Sequence, residues 1–230
     1  MNKVYRVGAV IVAAGAGLRF GERKQFKKLG DKPLYLYSLE AFLKCESISE
    51  IALVVPKELK SSISKEVDQL NRQICIVKGG KLRQDSVSFG INGLNSNCDM
   101  VCIHDAARPL VSVELIENAI EKCKNKDGVV VALPSNDTVK EIIGKKNQIK
   151  RTIPRETIWL AQTPQVFNRR KLIDALSYAK DNGITVTDES TLLETLNHEI
   201  VVVEGNANNL KITNKDDWKL AELILEKVND

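Results

Sequence analysis

Five almost continuously apolar runs, Val7–Val12, Ile51–Val55, Ile74–Val77, Met100–Ile103 and Val129–Leu133, punctuate the first 134 residues. Runs this short, this apolar and this rich in Val and Ile predict strands covered on both faces. Between them the spacing turns helical. Leu34–Leu43 follows Pro33, a residue suited to a first helical turn. Ser61–Leu70, Ser86–Leu94 and Val113–Cys123 repeat the pattern, the last opened by Ser112 as an N-cap. This alternation predicts an α/β chain, a doubly wound, mainly parallel, Rossmann-like sheet with right-handed crossovers.

The pattern then breaks. Thr138–Ile142 and Ile149–Ile153 read as a hairpin around Gly144-Lys145-Lys146-Asn147-Gln148, with an exposed basic tip. So short a hairpin buries little of itself, and a second copy of the chain is the natural surface for it. Further on, the pattern predicts a strand near Trp159–Gln162 and helices at Arg169–Lys180 and Glu189–Leu196. A strand at Ile200–Glu204, a short one at Leu210–Ile212 and a helix at Lys215–Val228 follow. The expectation is a single domain over residues 1–230, with 135–157 as a protruding arm.

At 230 residues, 43% hydrophobic and 28% charged, the chain has the make-up of an ordinary globular protein with a substantial core. Its net charge of +4 is spread along the sequence, which points to local anion sites and argues against a nucleic-acid groove. No apolar run approaches the roughly 20 residues needed to span a bilayer. The first apolar run follows Met1 too closely to leave room for a secretory leader. Five cysteines without a C-x-x-C pair, and only two histidines, argue against a disulfide framework or a zinc site. A cytoplasmic setting is expected.

Candidate chemistry starts in the loop after the first strand, Ala13-Ala14-Gly15-Ala16-Gly17-Leu18-Arg19-Phe20-Gly21-Glu22-Arg23-Lys24. Glycines there let backbone N–H groups approach an anion, and Arg19 and Lys24 add two cations. A dinucleotide fingerprint would need its third glycine where Phe20 stands, and no Gly-Lys-Ser/Thr triplet completes a Walker A loop. A flexible turn with solvated basic side chains remains the alternative for this loop alone. Gly79-Gly80-Lys81-Leu82-Arg83-Gln84-Asp85-Ser86 repeats the same physics before a helix, with simple capping by Asp85 or Ser86 as the alternative. His104-Asp105-Ala106-Ala107-Arg108 closes the fourth strand. Its Asp105 and Arg108 read as a substrate-contacting pair, and His104 as a half-buried residue bonded to backbone. Thr138, Arg155, Thr163 and Lys211 complete the set, since arginine suits phosphate and threonine hydroxyls suit polyol or phosphate oxygens. A surface lysine is the commoner fate for Lys211.

Taken in order, these blocks resemble the 2-C-methyl-D-erythritol 4-phosphate cytidylyltransferase family. They are Ala13-Ala14-Gly15-x-Gly17-x-Arg19, Lys24-Gln25-Phe26, Gly79-Gly80…Arg83…Asp85-Ser86-Val87, His104-Asp105-Ala106-Ala107-Arg108-Pro109, Asp137-Thr138-Val139-Lys140, Arg155, Gln162-Thr163-Pro164-Gln165, Thr187-Asp188-Glu189 and Asn209-Leu210-Lys211-Ile212-Thr213. The resemblance implies a nucleotidyltransferase-type fold and a homodimeric, magnesium-requiring enzyme of the non-mevalonate isoprenoid pathway. It would join CTP and methylerythritol phosphate with release of pyrophosphate. By the same resemblance, Arg19, Lys24, Arg155 and Lys211 would carry the chemistry. Ala13, Ala14, Gly15, Gly17, Gly80, Ser86 and Asp105 would hold CTP. Asp105, Arg108, Thr138, Arg155, Thr163 and Lys211 would line the alcohol site, Thr138 and Arg155 entering from a partner's arm. The metal would rest mainly on triphosphate oxygens, and Thr187-Asp188-Glu189 would cap the following helix. The loop before Lys24 is shorter than the family's and has Arg23 where a proline is common, so Arg23 stays open as a stand-in. At Lys81 the family often carries an acidic residue. A pentitol phosphate such as ribitol 5-phosphate stays open as the acceptor, and a non-catalytic nucleotide-binding module is the second alternative.

Overall fold

The computed structural model describes residues 4–70, 74–144 and 147–229. Strand β1 (Val7–Val12) leads through a glycine-rich loop and a 3-10 turn at Lys24–Phe26 to a small ribbon, β2 (Lys28–Leu29) and β3 (Lys32–Pro33), and then α1 (Leu34–Lys44). The alternation continues with β4 (Ile48–Val55), α2 (Lys60–Val67), β5 (Ile74–Lys78), α3 (Arg83–Asn92), β6 (Met100–Asp105), α4 (Val113–Cys123) and β7 (Gly128–Pro134). The arm follows as β8 (Val139–Ile143) and β9 (Gln148–Ile153), then β10 (Trp159–Asn168), α5 (Arg169–Asp181), α6 (Ser190–Thr195), β11 (Ile200–Glu204) and α7 (Lys215–Asn229).

The central sheet has seven strands in the order β11-β7-β10-β6-β1-β4-β5. Strand β10 pairs antiparallel with both β6 and β7, and every other neighbour in the sheet is parallel. This is the doubly wound, mainly parallel sheet expected from the alternation. Successive side chains of a strand face opposite ways, and β1 shows the consequence. Val7, Ala9 and Ile11 join one core with Leu39 and Phe42 of α1 and Ile116 of α4, while Val10 joins a second with Val87 and Ile91 of α3 and Leu172 of α5. A strand buried on both faces has to be apolar at every position, which is why these runs do not alternate. Helix α4 starts where expected, with Ser112 Oγ accepting from the Leu115 N–H at 3.2 Å.

A third, smaller cluster has a direct bearing on the site. Phe20 of the first loop packs with Leu34, Ile212, Trp218 and Ala221, the Phe20 and Trp218 ring centroids lying 5.5 Å apart. The loop is thereby fastened to α7 and to the segment carrying Lys211.

Several expectations need correction. The strand expected near Trp159–Gln162 runs on to Asn168, because the apolar Val166 and Phe167 continue it into the core. Leu210–Ile212 is not a strand; the Ile212 N–H donates to the Ala107 carbonyl at 2.8 Å, a single tie without a ladder. Helix α3 begins at Arg83, three residues before the expected Ser86, because Asp85 accepts from the Leu82 N–H and starts the helix early. The arm forms a two-stranded sheet of its own, and Lys145 and Lys146 of its expected tip lie outside the described residues. On it Ile142, Ile143 and Ile149 are 47%, 45% and 58% exposed. Among the described residues no helix is long and apolar enough to cross a membrane.

Candidate active site

Strand order reverses at β1, between β4 on one side and β6 on the other, and ligands of open α/β sheets bind at the carboxyl ends beside such a reversal. There Val12 lies opposite Val54 and Asp105. Because β10 runs against the other strands, its first residue Trp159 pairs with Pro134 at the end of β7. The arm between them therefore springs from the ligand edge. A cleft of about 650 Å³ opens at this edge, walled by the first loop, the start of α3, Asp105 and Lys211.

The first loop is shaped by its glycines. Gly17 has φ +70° and its carbonyl accepts from Phe20 and Gly21 at 2.9 and 3.0 Å; a Cβ there would run into the Glu22 carbonyl. Gln25 ties the loop across its base, its Nε2 donating to the Gly15 carbonyl at 3.2 Å. Ala14, Gly15 and Gly17 line the cleft, whereas Ala13 is fully buried and its N–H donates to Val54 in β4 at 2.8 Å.

Six cations line the cleft, Arg19, Arg23, Lys24, Lys81, Arg83 and Lys211, against one carboxylate, Asp105. Their environments differ sharply. Arg23 is exposed and paired with Glu58. Lys24 is only 8% exposed and makes no ion pair among the described residues; Arg19, at the surface, makes none either. Burial, then the charges of Lys211 and Arg19, lower the Lys24 ammonium below its ordinary value, against weaker pulls from Asp105 and Asp217. Of the two neighbours, Lys24 is the one with a charge left over.

Asp105 is the opposite case. Burial pushes its carboxyl up, but Arg83, Lys211 and Arg108 outweigh burial and hold it well below the usual carboxylate range. Its Oδ1 accepts from Arg83 Nε at 3.0 Å and its Oδ2 from Lys211 Nζ at 2.5 Å. Arg83 reaches on to Glu189, whose two oxygens accept from Nη1 at 2.8 and 2.6 Å. Burial opposes the charge on Arg83, but the two carboxylates more than offset it and raise its pKa. Ser86 lies beside this network, its hydroxyl accepting from Gly80 N–H at 3.0 Å and donating to Leu82 O at 3.2 Å.

A neutral chain of hydrogen bonds supports the floor. His104 is wholly buried, more than the half-burial expected, and Nε2 faces the Arg108 carbonyl at 3.1 Å. A carbonyl can only accept, so the proton sits on Nε2 and Nδ1 accepts from the Thr163 hydroxyl at 3.0 Å. That hydroxyl in turn accepts from the Asp105 N–H at 3.1 Å. The Arg108 guanidinium makes no hydrogen bond to Asp105 among the described residues and donates to the Asn209 and Ala161 carbonyls at 2.8 and 3.2 Å. Arg108 and Thr163 thus lie behind the cleft wall, not on it. Thr138 and Arg155 are elsewhere: both are exposed on or beside the arm, and Arg155 Nη1 donates to the Asn136 carbonyl at 2.9 Å.

Sequence reasoning left two residues of this network without a role. Arg83 appeared within a motif but no partner was visible for it, and Glu189 read as part of a helix cap. The segment does cap α6 as expected, but through Asp188, whose Oδ1 accepts from the Thr191 N–H at 3.3 Å, while the Glu189 side chain turns to Arg83. Nothing in the residue pattern announces a pairing between positions this far apart.

A parallel-sheet switch point, glycine-shaped amides and a cation-rich cleft define a nucleotidyltransferase-type α/β protein. The sequence profile of the 2-C-methyl-D-erythritol 4-phosphate cytidylyltransferase family matches residues 7–227. Proteins of that name from Clostridioides difficile and Dehalococcoides mccartyi are 39% and 40% identical, over 94% and 96% of this chain and 92% and 97% of their own. The crystal structure of 4-diphosphocytidyl-2C-methyl-D-erythritol synthase from Anaerococcus prevotii superposes with a TM-score of 0.87 at 28% identity, covering 97% of this chain and all of that one. The chain belongs to the 2-C-methyl-D-erythritol 4-phosphate cytidylyltransferase family.

The buried imidazole gives a pH test of this architecture. Burial, the largest effect, lowers His104 to about 4 from an ordinary 6.5. A depressed base contributes stability above its unfolded pKa and loses it as pH falls, so His104 costs the fold progressively between about pH 6.5 and 4. Asp105, also depressed, acts only below the unfolded carboxylate value near 3.9, outside that window. Urea unfolding of wild-type protein should lose roughly 3 kcal/mol across this window relative to His104→Asn. Parallel curves for the two proteins would show that His104 protonates freely in the fold.

Proposed function

We propose that this chain transfers the cytidylyl group of CTP to 2-C-methyl-D-erythritol 4-phosphate and releases pyrophosphate. Family membership supports the reaction and both substrates. The observation that carries it is Lys24, the buried one of three cleft cations, with Arg19 and Lys81, that make no ion pair among the described residues. Such charge suits a reaction whose difficulty is bringing two polyanions together.

The acceptor phosphate is already anionic, so its attack on the α-phosphorus needs no general base. What it needs is alignment, and stabilisation of charge that gathers on the phosphoryl oxygens as pyrophosphate leaves in line. Lys24 can supply that charge from a shielded position, where it acts more strongly than in water. Arg19 adds a second cation from the loop, and the amides of Ala14 and Gly15 approach the nucleotide closely. Asp105 and Lys211 fix the acceptor side of the cleft.

Magnesium fits as an ion carried on the triphosphate. Asp105, the carboxylate lining the cleft, already has both oxygens engaged, and the described residues assemble no cluster of three acidic, His or Cys side chains. Bound to the nucleotide, the ion would neutralise phosphate charge and hold the leaving oxygens.

The protein acts as a two-fold dimer with exchanged arms, each arm bringing Thr138 and Arg155 to its partner's cleft. Two features support this: the exposed isoleucines on the arm, and the absence of both residues from their own chain's cleft wall. Five free cysteines suit a reducing, cytoplasmic setting.

Pyrophosphate release with CTP and Mg²⁺ should be fast with methylerythritol phosphate and slow with ribitol 5-phosphate; the reverse order would overturn the acceptor. Lys24→Ala and Arg19→Ala should each lower kcat at least about a hundredfold. Arg23→Ala should stay within about threefold, since its pair with Glu58 is a surface one; an inactive Arg23→Ala beside an active Lys24→Ala would exchange their roles. The arm is tested by complementation. Inactive Arg155→Ala and Lys24→Ala proteins, mixed to allow subunit exchange, should regain part of the activity, because one site in the heterodimer carries neither lesion. Heterodimers without recovery would place Arg155 in its own chain's site.

A further inference from the structure

We propose that Glu189 is a positioning residue for the nucleotide: it holds Nη1 of the Arg83 guanidinium so that Nη2 donates into the cleft. This rests on the CTP reading above.

A guanidinium carries one N–H on Nε and two on each Nη. Asp105 takes the Nε hydrogen, and both Glu189 oxygens face Nη1. Nη2 makes no hydrogen bond among the described residues, on a side chain that lines the cleft beside Gly80 and Ser86. An acceptor-rich nucleotide, through phosphate, ribose or pyrimidine oxygens, is the ligand chemistry that fits. An arginine free to swing would have to be ordered at each binding event; one held at Nε and Nη1 is ordered beforehand.

Glu189 itself points the same way. It is 0% exposed, and a buried carboxylate is costly unless paired. Buried ion pairs can often be replaced by apolar pairs without loss of stability, so stability alone does not account for this one. It is not needed to cap α6, since Asp188 does that. Its visible work is on Arg83, which it holds from outside the cleft wall.

The test is a kinetic cycle on the full-length enzyme. Wild-type turnover is measured first; its absence would count against the proposed reaction, whereas the Glu189 comparison counts only against this inference. Glu189→Gln should raise KM for CTP about tenfold, with kcat and KM for the acceptor within about twofold, as expected for one misdirected charge-assisted hydrogen bond. In an Arg83→Leu background the same change should add nothing, because no guanidinium remains to be aimed. Glu189→Asp keeps the charge, shortens the reach and should raise KM for CTP severalfold, which supplies the readout should the Gln variant not fold. Calorimetric titration with CTP should follow the same order. Wild-type KM for CTP in a folded Glu189 variant, or an additive loss in the Arg83→Leu background, would overturn the proposal.

Discussion

The carboxylate of Asp105 is the anion around which the cleft is assembled. It sits at the end of a central strand, buried, and accepts from Arg83 on one oxygen and Lys211 on the other. Those two cations come from the first turn of α3 and from the segment before α7. One charge therefore ties together parts of the chain separated by over a hundred residues. Glu189 extends the network and balances it, two anions against two cations. With that balance struck, Arg19, Lys24 and Lys81 remain without ion pairs among the described residues. The cleft's own carboxylate and Glu189 behind it are both engaged in ion pairs with Arg83 or Lys211.

The neutral layer below does a different job. His104, Thr163 and the Asp105 amide form a chain whose donors and acceptors are all assigned by the carbonyl at its end. It orients the Asp105 backbone without adding charge, and it holds only while the imidazole stays unprotonated. Arg108 belongs to this layer by its bonds to two carbonyls, although its charge still helps to keep Asp105 ionised.

Local physics made much of this legible beforehand. The runs Val7–Val12, Ile51–Val55 and Met100–Ile103 of β1, β4 and β6 do not alternate with polar residues because both faces are covered, and the start of α4 is written in Ser112. The glycines of the first loop suggest an anion site but, taken alone, leave a flexible turn open; it is the ordered set of later blocks that favours the site. Long-range geometry was less visible. The full length of β10 and its reversed direction depend on which neighbours it meets, not on its own residues. Leu210–Ile212 looks like a strand by composition but has one tie to Ala107 and no neighbour to pair with. Arg108 and Asp105, three residues apart, read as a pair, yet the turn between them aims one outward and the other behind the wall. Arg23 and Lys24 are indistinguishable as residue types; burial of one and pairing of the other with Glu58 separates them.

The central claim is that the cleft holds positive charge that only its ligand compensates. Thermal unfolding of wild-type protein and Lys24→Met, each with and without CTP, measures this most directly. Removing a buried, unpaired charge while keeping the side-chain volume should raise the ligand-free melting temperature, the stability that the site gives up for function. Saturating CTP should stabilise the wild type by about 2.7 kcal/mol at a hundred times its Kd, and the variant far less. A Lys24→Met protein that melts lower than wild type without ligand, yet gains as much from CTP, would contradict the account.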